Sequence, residues 1–427
     1  MVKFLHTADW QIGKSFSSLD DDSSDNPDLA NTTVKPDLAQ KLRAARLDTA
    51  RDVMQMARDE DVDFVLIAGD LFEEEFAERS LRVEVYDILT QDDNPPVYVV
   101  AGNHDPIQTG CVYHQSPFDR DDGQLHIPDE PTAYDLPNDD GVLLTSPLTE
   151  RKSNKDPCQY VPDSDTDGHR IGVTHGQLRI EGKYNDDAHP ISLDAVAEHD
   201  LDYLALGDWH THYEHPDHPN RCRYSGTQEQ GKFSDDAGVL IVEMDEPGDE
   251  PVVEYRETGQ YKWETLDDLD LTPEGSVTDL RNRLDQMEGE TTLLKLIPEG
   301  TLDEEKAQAF QDLMENARNR FPLLDVDKSQ LHAPVAVETL LDRLGSEELL
   351  TGAVADLLWL KTKMDPGAAA DMPDVDASTL SDEVLDAIYD DLEEHHESLN
   401  GDGTDVSPED IDRAVQELHK ILEQRES

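Results

Sequence analysis

The sequence predicts a mixed α/β protein in which two packed sheets lie between helices, an α-β-β-α sandwich of four layers. Three observations carry that expectation. Apolar, strand-like runs alternate with amphipathic helical patterns through the N-terminal half. From Arg221 the pattern turns to short alternating β runs, which two packed sheets flanked by helices would bury. Finally, polar motifs sit just past successive apolar runs, as expected where strand ends share one sheet edge.

Taken in order, Val2–Thr7 reads as the first strand and Ser17–Pro36 as a polar loop. Leu38, Leu42, Ala45, Thr49, Val53 and Ala57 recur at helical spacing, and Phe64–Ala68 follows as a strand. A second helix is expected at about Glu78–Thr90, before a strand at Val97–Ala101. Asp119–Asp140 and Glu150–Gly168 are rich in Pro and Asp and read as surface loops. Strands are expected at Arg170–Val173 and Tyr203–Leu206, then at Arg221–Tyr224, Gly238–Met244 and Val252–Glu257. A small α/β unit over 271–332 follows, with helices at Val277–Met287 and Glu304–Arg320 around a strand at Thr292–Ile297. The remainder, 333–427, reads as an acidic helical region. Val384, Ile388 and Leu392 form one apolar stripe there, and Ile411, Val415, Leu418 and Leu422 form another. Ser407-Pro408-Glu409 supplies a helix start with Pro in the first turn. Asp- and Gly-rich linkers separate these helices, a pattern that suits a solvated tail or a segment docking on a partner. The expected organisation is therefore 1–270, 271–332 and 333–427.

The 427 residues carry 98 acidic against 35 basic side chains, a formal charge of −63. Such a balance ordinarily argues against nucleic-acid partners, whose phosphates need Lys and Arg. Here the acids are spread along the whole chain, as in proteins of a halophilic cytosol, where carboxylates keep the surface soluble in concentrated salt. Charge therefore excludes little. Cys111, Cys158 and Cys222 form no CxxC pair, which suggests a reducing interior. Met1 runs directly into a strand and no apolar stretch is long enough to span a bilayer, so a cytoplasmic, non-membrane protein is expected.

The motifs are Asp9-Trp10-Gln11, Gly69-Asp70, Gly102-Asn103-His104-Asp105, Thr174-His175-Gly176 and Gly207-Asp208-Trp209-His210. Brought together, they would supply mixed oxygen and imidazole ligands suited to two divalent metals. A lone Gly-Asp or Thr-His-Gly is ordinarily a turn, but Gly102-Asn103-His104-Asp105 is richer than a turn requires. The set of motifs resembles the calcineurin-like metallophosphoesterases. His6-Thr7-Ala8-Asp9-Trp10, Gly69-Asp70-Leu71-Phe72 and Tyr224-Ser225-Gly226-Thr227 are similar to the SbcD-type DNA repair nucleases within them, over roughly residues 1–270. That resemblance implies the metallophosphoesterase sandwich with a small α/β accessory domain and a helical tail. It implies metal ligation by Asp9, Gln11, Asp70 and His210 at one position, and by Asp70, Asn103, His175 and Asp208 at the other. His104 would face the phosphate as a catalytic residue, oriented by Asp105.

Three positions depart from the family pattern. Gln11, Asp208 and Glu73 each stand where the family has His. Gln and Asp keep an oxygen ligand, which tilts the preference toward Mn²⁺ or Mg²⁺, Mn²⁺ foremost. The resemblance further implies DNA as substrate, an SMC-like coiled-coil ATPase of SbcC type as partner, and a homodimer. Lys14, Arg43, Arg46, Lys183 and Lys232 would contact the DNA backbone. The rival expectations are a metallophosphoesterase on small molecules or phosphoproteins, and a non-catalytic scaffold.

Other features are read as incidental. Gly226–Lys232 fits the start of a P-loop, but Phe233 replaces its Ser or Thr and no helix is expected after it. His212, His215 and His218 are expected to be exposed loop residues, and Trp10 and Trp209 to pack near the site.

Overall fold

In the computed structural model, residues 1–19, 32–120, 123–136 and 140–333 are described. The apolar stripes near Val384–Leu392 and Ile411–Leu422, and the docking role attached to them, lie outside the described residues. The helical spacing that begins at Leu38 becomes a helix over Leu38–Asp59, which buries Leu38, Leu42, Ala45, Thr49, Val53 and Ala57. The second helix runs over Arg79–Leu89.

The chain divides into two units. The first comprises Met1–Glu264, Glu288–Lys295 and Phe321–Leu324. It contains two six-stranded sheets. One runs in the order Val252–Glu257, Gly238–Met244, Val2–Thr7, Phe64–Ala68, Val97–Val100, Leu125–His126. Its last four strands are parallel, and the first two join antiparallel. The other runs in the order His212–Glu214, Cys222–Ser225, Tyr203–Gly207, His169–His175, Gly141–Ser146, Thr132–Asp135. Its four central strands are parallel.

Strand alternation sorts the side chains into layers. Phe4, Phe64, Leu66 and Val100 of the first sheet meet Leu143, Ile171, Val173 and Tyr203 of the second in the central core. Their neighbours Leu5, Val65, Ile67 and Val99 turn outward, onto Ala50, Val53, Val85 and Leu89 of the two helices. On the far side, Val142, Leu144, Leu204 and Leu206 are covered by Cys158, Leu178, Ile191 and Val196. Among the described residues this outer layer is thin, with its α-helix limited to Ala195–Glu198. The α-β-β-α layering thus matches the expectation, with unequal outer layers.

Some expected loops are more ordered than their composition suggested. Asp119–Asp140 contains the strands Leu125–His126 and Thr132–Asp135, and Ser17–Pro36 contains a short strand at Thr32–Val34. The second unit includes Thr265–Met287 and Leu296–Arg320. Its helices, Ser276–Gln286 and Glu304–Arg320, bury Val277, Leu280 and Leu284, and Phe310, Leu313 and Met314, respectively. Among the described residues, no helix is long and apolar enough to cross a membrane.

His6 ties the two sheets together from within the core. Its Nε2–H donates to the Leu206 carbonyl (3.2 Å), and its Nδ1 lies 3.0 Å from the Tyr203 hydroxyl, from which it accepts. Burial pushes its pKa down to about 3, against the hydrogen bond to Leu206. Between about pH 6.5 and 3 the unfolded chain protonates this imidazole and the folded chain does not, so stability falls as pH falls. The expected contribution is roughly 1.4 kcal/mol per pH unit below pH 6.5. Denaturation curves at successive pH values should show this slope, and His6→Gln should lose that part of it. An unchanged slope in the variant would contradict the assignment.

Candidate metal centre

The parallel strands deliver the motifs to one edge of the sandwich. Asp9 follows Val2–Thr7, Asp70 follows Phe64–Ala68, and Asn103 follows Val97–Val100. His175 closes His169–His175, while Asp208 and His210 follow Tyr203–Gly207. Ligand atoms of Asp9, Asp70 and His175 lie within 4.8 Å of one another, and all three residues are buried. Nε2 of His175 is 2.8 Å from Asn103 Oδ1, 3.5 Å from Asp70 Oδ2 and 3.8 Å from Asp208 Oδ1.

Close packing at this edge demands special backbone. Asp9, Gln11, Asp70 and Asp208 all have positive φ (54°, 43°, 55° and 104°), an uncommon conformation for side-chain-bearing residues that concentrates at functional sites. Gly102 and Gly69 are required by proximity. A Cβ on Gly102 would fall 2.1 Å from Asp70 Oδ1, and one on Gly69 would fall 2.0 Å from His175 Nδ1.

The electrostatics favour a cation. Burial pushes Asp9 up to about 6, opposed by His210 and His175. Burial works to lower His175, yet Asp70, Asp9 and Asp208 outweigh it and lift its pKa to about 9. Its Nδ1–H donates to the Ala68 carbonyl at 2.9 Å, which directs Nε2 at the carboxylates. Buried carboxylates, an imidazole and an amide oxygen form a donor set that fits a hard or borderline divalent ion. An ion held there would replace the proton on His175 Nε2.

The His210 end is arranged differently. His210 Nε2 is 3.7 Å from Asp9 Oδ1 and 3.2 Å from Gln11 Nε2. Its Nδ1 faces Asp235 Oδ1 at 3.5 Å. Gln11 Oε1 accepts from Lys14 Nζ at 3.0 Å, and Lys14 also pairs with Glu73 at 3.4 Å. On the other flank, Gln177 Nε2 donates to Asp208 Oδ2 at 2.7 Å.

His104 borders the group, its backbone N–H donating to Asp70 Oδ1 at 2.9 Å. The expected orienting role of Asp105 is corrected. His104 Nδ1–H donates to the Glu73 carbonyl (2.9 Å), so a backbone oxygen holds the ring. Asp105 is fully buried and accepts from the N–H groups of Phe72 and Gly102 and from the Tyr113 hydroxyl. It fixes the two loops that carry Asp70 and Asn103, and burial raises its pKa to about 6.

Other expectations divide. Arg46 is corrected as a DNA-backbone contact: it is 1% exposed and donates to the Trp10 carbonyl at 2.6 Å. Lys183 lies over the Tyr213 ring, while Lys232 remains 63% exposed. His215 is buried, not exposed; its Nδ1 accepts from the backbone N–H groups of Asp217 and His218. Trp10 is buried and donates to Thr7, and Trp209 stacks on Tyr224, so both are packing residues. No helix follows Lys232, in keeping with the rejection of a P-loop. Thr227, whose hydroxyl donates to the Asp9 carbonyl at 2.6 Å, closes the Tyr224–Thr227 motif, whereas Asp235 carries no motif that would single it out in the sequence.

Comparison with known proteins adds a family-level match. The model for the family of calcineurin-like phosphoesterases matches residues 2–242. A Bacillus subtilis protein described as an uncharacterized metallophosphoesterase, YhaO, is 22% identical over 451 residues, covering 99% of this chain and 98% of that protein. A Staphylococcus epidermidis protein named as a subunit of the nuclease SbcCD is 23% identical over 261 residues, covering 55% of this chain and 63% of that protein. The solved structure of a dimetal phosphatase from Danio rerio is similar over 60% of this chain and 96% of that one, with 13% identity and a TM-score of 0.33.

Proposed function

Because the chain belongs to the calcineurin-like phosphoesterase family, we propose that it is a Mn²⁺-dependent DNA exo/endonuclease that acts in double-strand break repair with an SMC-like coiled-coil ATPase. The convergence of Asp9, Asp70, Asn103, His175, Asp208 and His210 on one sheet edge carries the phosphodiesterase part of this reading. The match to a protein named as part of a nuclease supports the substrate and the partner.

In this reading Asp70, Asn103, His175 and Asp208 hold one divalent ion, and Asp9, Asp70 and His210 hold a second. Such ions, when bound, make a water nucleophilic near neutral pH and neutralise phosphate charge. The chain's own groups do the rest. The carbonyls of Ala68 and Glu73 set the rings of His175 and His104. With Nδ1–H committed to Glu73, the Nε2 of His104 is the nitrogen left for the substrate. As an imidazolium it protonates the leaving 3′- or 5′-oxygen, and afterwards regains a proton from solvent. Arg151, which pairs with Glu75 and lies beside the His104 carbonyl, adds a cation near the same position.

A second substrate class, small phosphodiesters, is favoured by the burial of Arg46, which removes one of the cations expected against a DNA backbone. The two readings part in one assay. Purified protein in concentrated KCl with Mn²⁺ should degrade linear duplex DNA as well as a chromogenic phosphodiester. Cleavage of the chromogenic ester with DNA left intact would overturn the nuclease reading and favour the second.

A further inference from the structure

The Gln11 side chain faces the wrong way to ligate a metal, and its neighbours explain why. An ammonium group only donates, so Lys14 Nζ, 3.0 Å away, fixes the amide oxygen of Gln11 toward itself. The amide N–H₂ of Gln11 is thereby turned to His210 Nε2, 3.2 Å away. Nε2 of that ring thus faces an amide donor, while its Nδ1 lies 3.5 Å from Asp235 Oδ1. Asp235 is 4% exposed, and the N–H of Gly231 holds its other oxygen at 2.9 Å. Lys14 is itself anchored by Glu73 at 3.4 Å. Glu73, Lys14, Gln11 and His210 thus form one connected run that sets the direction of the Gln11 amide.

We infer that Lys14 is a positioning residue that keeps Gln11 from serving as a ligand, so that the two metal positions are unequal. The tight position is the one around Asp70, Asn103, His175 and Asp208. The other has Asp9, Asp70 and His210 but lacks a fourth protein ligand, and its lone pair on His210 is shared with the Gln11 amide hydrogens. This inference rests on the site being a two-metal centre. It assigns to this chain a labile second ion, governed by Lys14 through the orientation of one amide.

Mn²⁺ titration of the full-length protein, by calorimetry and by metal content after equilibrium dialysis, tests it without recourse to activity. The wild type should bind one ion tightly and a second at least about tenfold more weakly. Lys14→Met frees the amide to turn its oxygen inward, and should tighten the second ion by about tenfold without changing the first. Gln11→His retains the Lys14 charge and should also tighten the second ion, which separates ligand orientation from the loss of a nearby positive charge. In both variants, two equivalents of Mn²⁺ should give the spin-coupled paramagnetic signal of a metal pair, absent from the wild type at the same ratio. Two ions of equal affinity in the wild type would overturn the inference and leave the two-metal reading standing. Tightening in Lys14→Met but not in Gln11→His would overturn it as well. No bound ion in any of the three would remove the metal centre itself.

Discussion

Replacing Asp70 with alanine should lower metal-dependent phosphodiester hydrolysis by at least about 1000-fold. The size of the effect follows from its central place. Asp70 Oδ1 is fixed by the backbone N–H of His104, and Oδ2 faces His175 Nε2 at 3.5 Å within the buried group that includes Asp9. In the proposed scheme this carboxylate is shared by both metal positions, so its loss weakens both. It would also leave the His104 N–H without its acceptor in a partly buried loop. Asp70→Asn retains the shape and an acceptor for that N–H but drops the charge, and should lose activity to a similar degree while remaining folded. Circular dichroism and steady-state rates on both variants check the pair; near-wild-type turnover in either would remove Asp70 from the centre.

The second large effect is expected at His104. His104→Gln should reduce turnover by about 100-fold to 10,000-fold, with metal content unchanged. The distinction arises from the geometry. The backbone of His104, not its ring, supports Asp70, so the ligand group survives the substitution. What is lost is an imidazole held by the Glu73 carbonyl with Nε2 left for the leaving oxygen. Rates with a good leaving group, such as a nitrophenolate, should fall less than rates with an alkoxide leaving group, because the former needs no proton. Equal losses on both would argue against a proton-donating role.

Much of this centre is legible in the sequence because each ligand follows a strand, and strand runs are read from alternation and β-branched content. Val2–Thr7 shows β-branched ends, while Phe64–Ala68 and Tyr203–Gly207 stand out as short continuous apolar runs, and parallel pairing then brings strand ends together. The supporting residues are not legible. Glu73 acts through its main-chain oxygen, which its side chain does not reveal. Asp235 is reached only when the loop after Cys222–Ser225 folds back to His210. The short strands Leu125–His126 and Thr132–Asp135 lie in turn-rich sequence and are too brief to show a period. Arg46 carries two conflicting signals. It stands four residues after Leu42 and three before Thr49, on the buried face of the Leu38–Asp59 helix. Its charge suggests DNA, whereas its spacing indicates burial, and the spacing prevails.

The most direct test of the centre is the divalent metal held by wild-type protein and Asp70→Ala after incubation with Mn²⁺ and dialysis, measured by elemental analysis on the preparations used for hydrolysis assays. The wild type should retain at least one Mn²⁺ per chain together with hydrolytic activity, and the variant should retain neither. A wild type that hydrolyses phosphodiesters without retaining metal, or an Asp70→Ala protein that retains both metal and activity, would contradict the assignment of this sheet edge as a metal-dependent phosphodiesterase site.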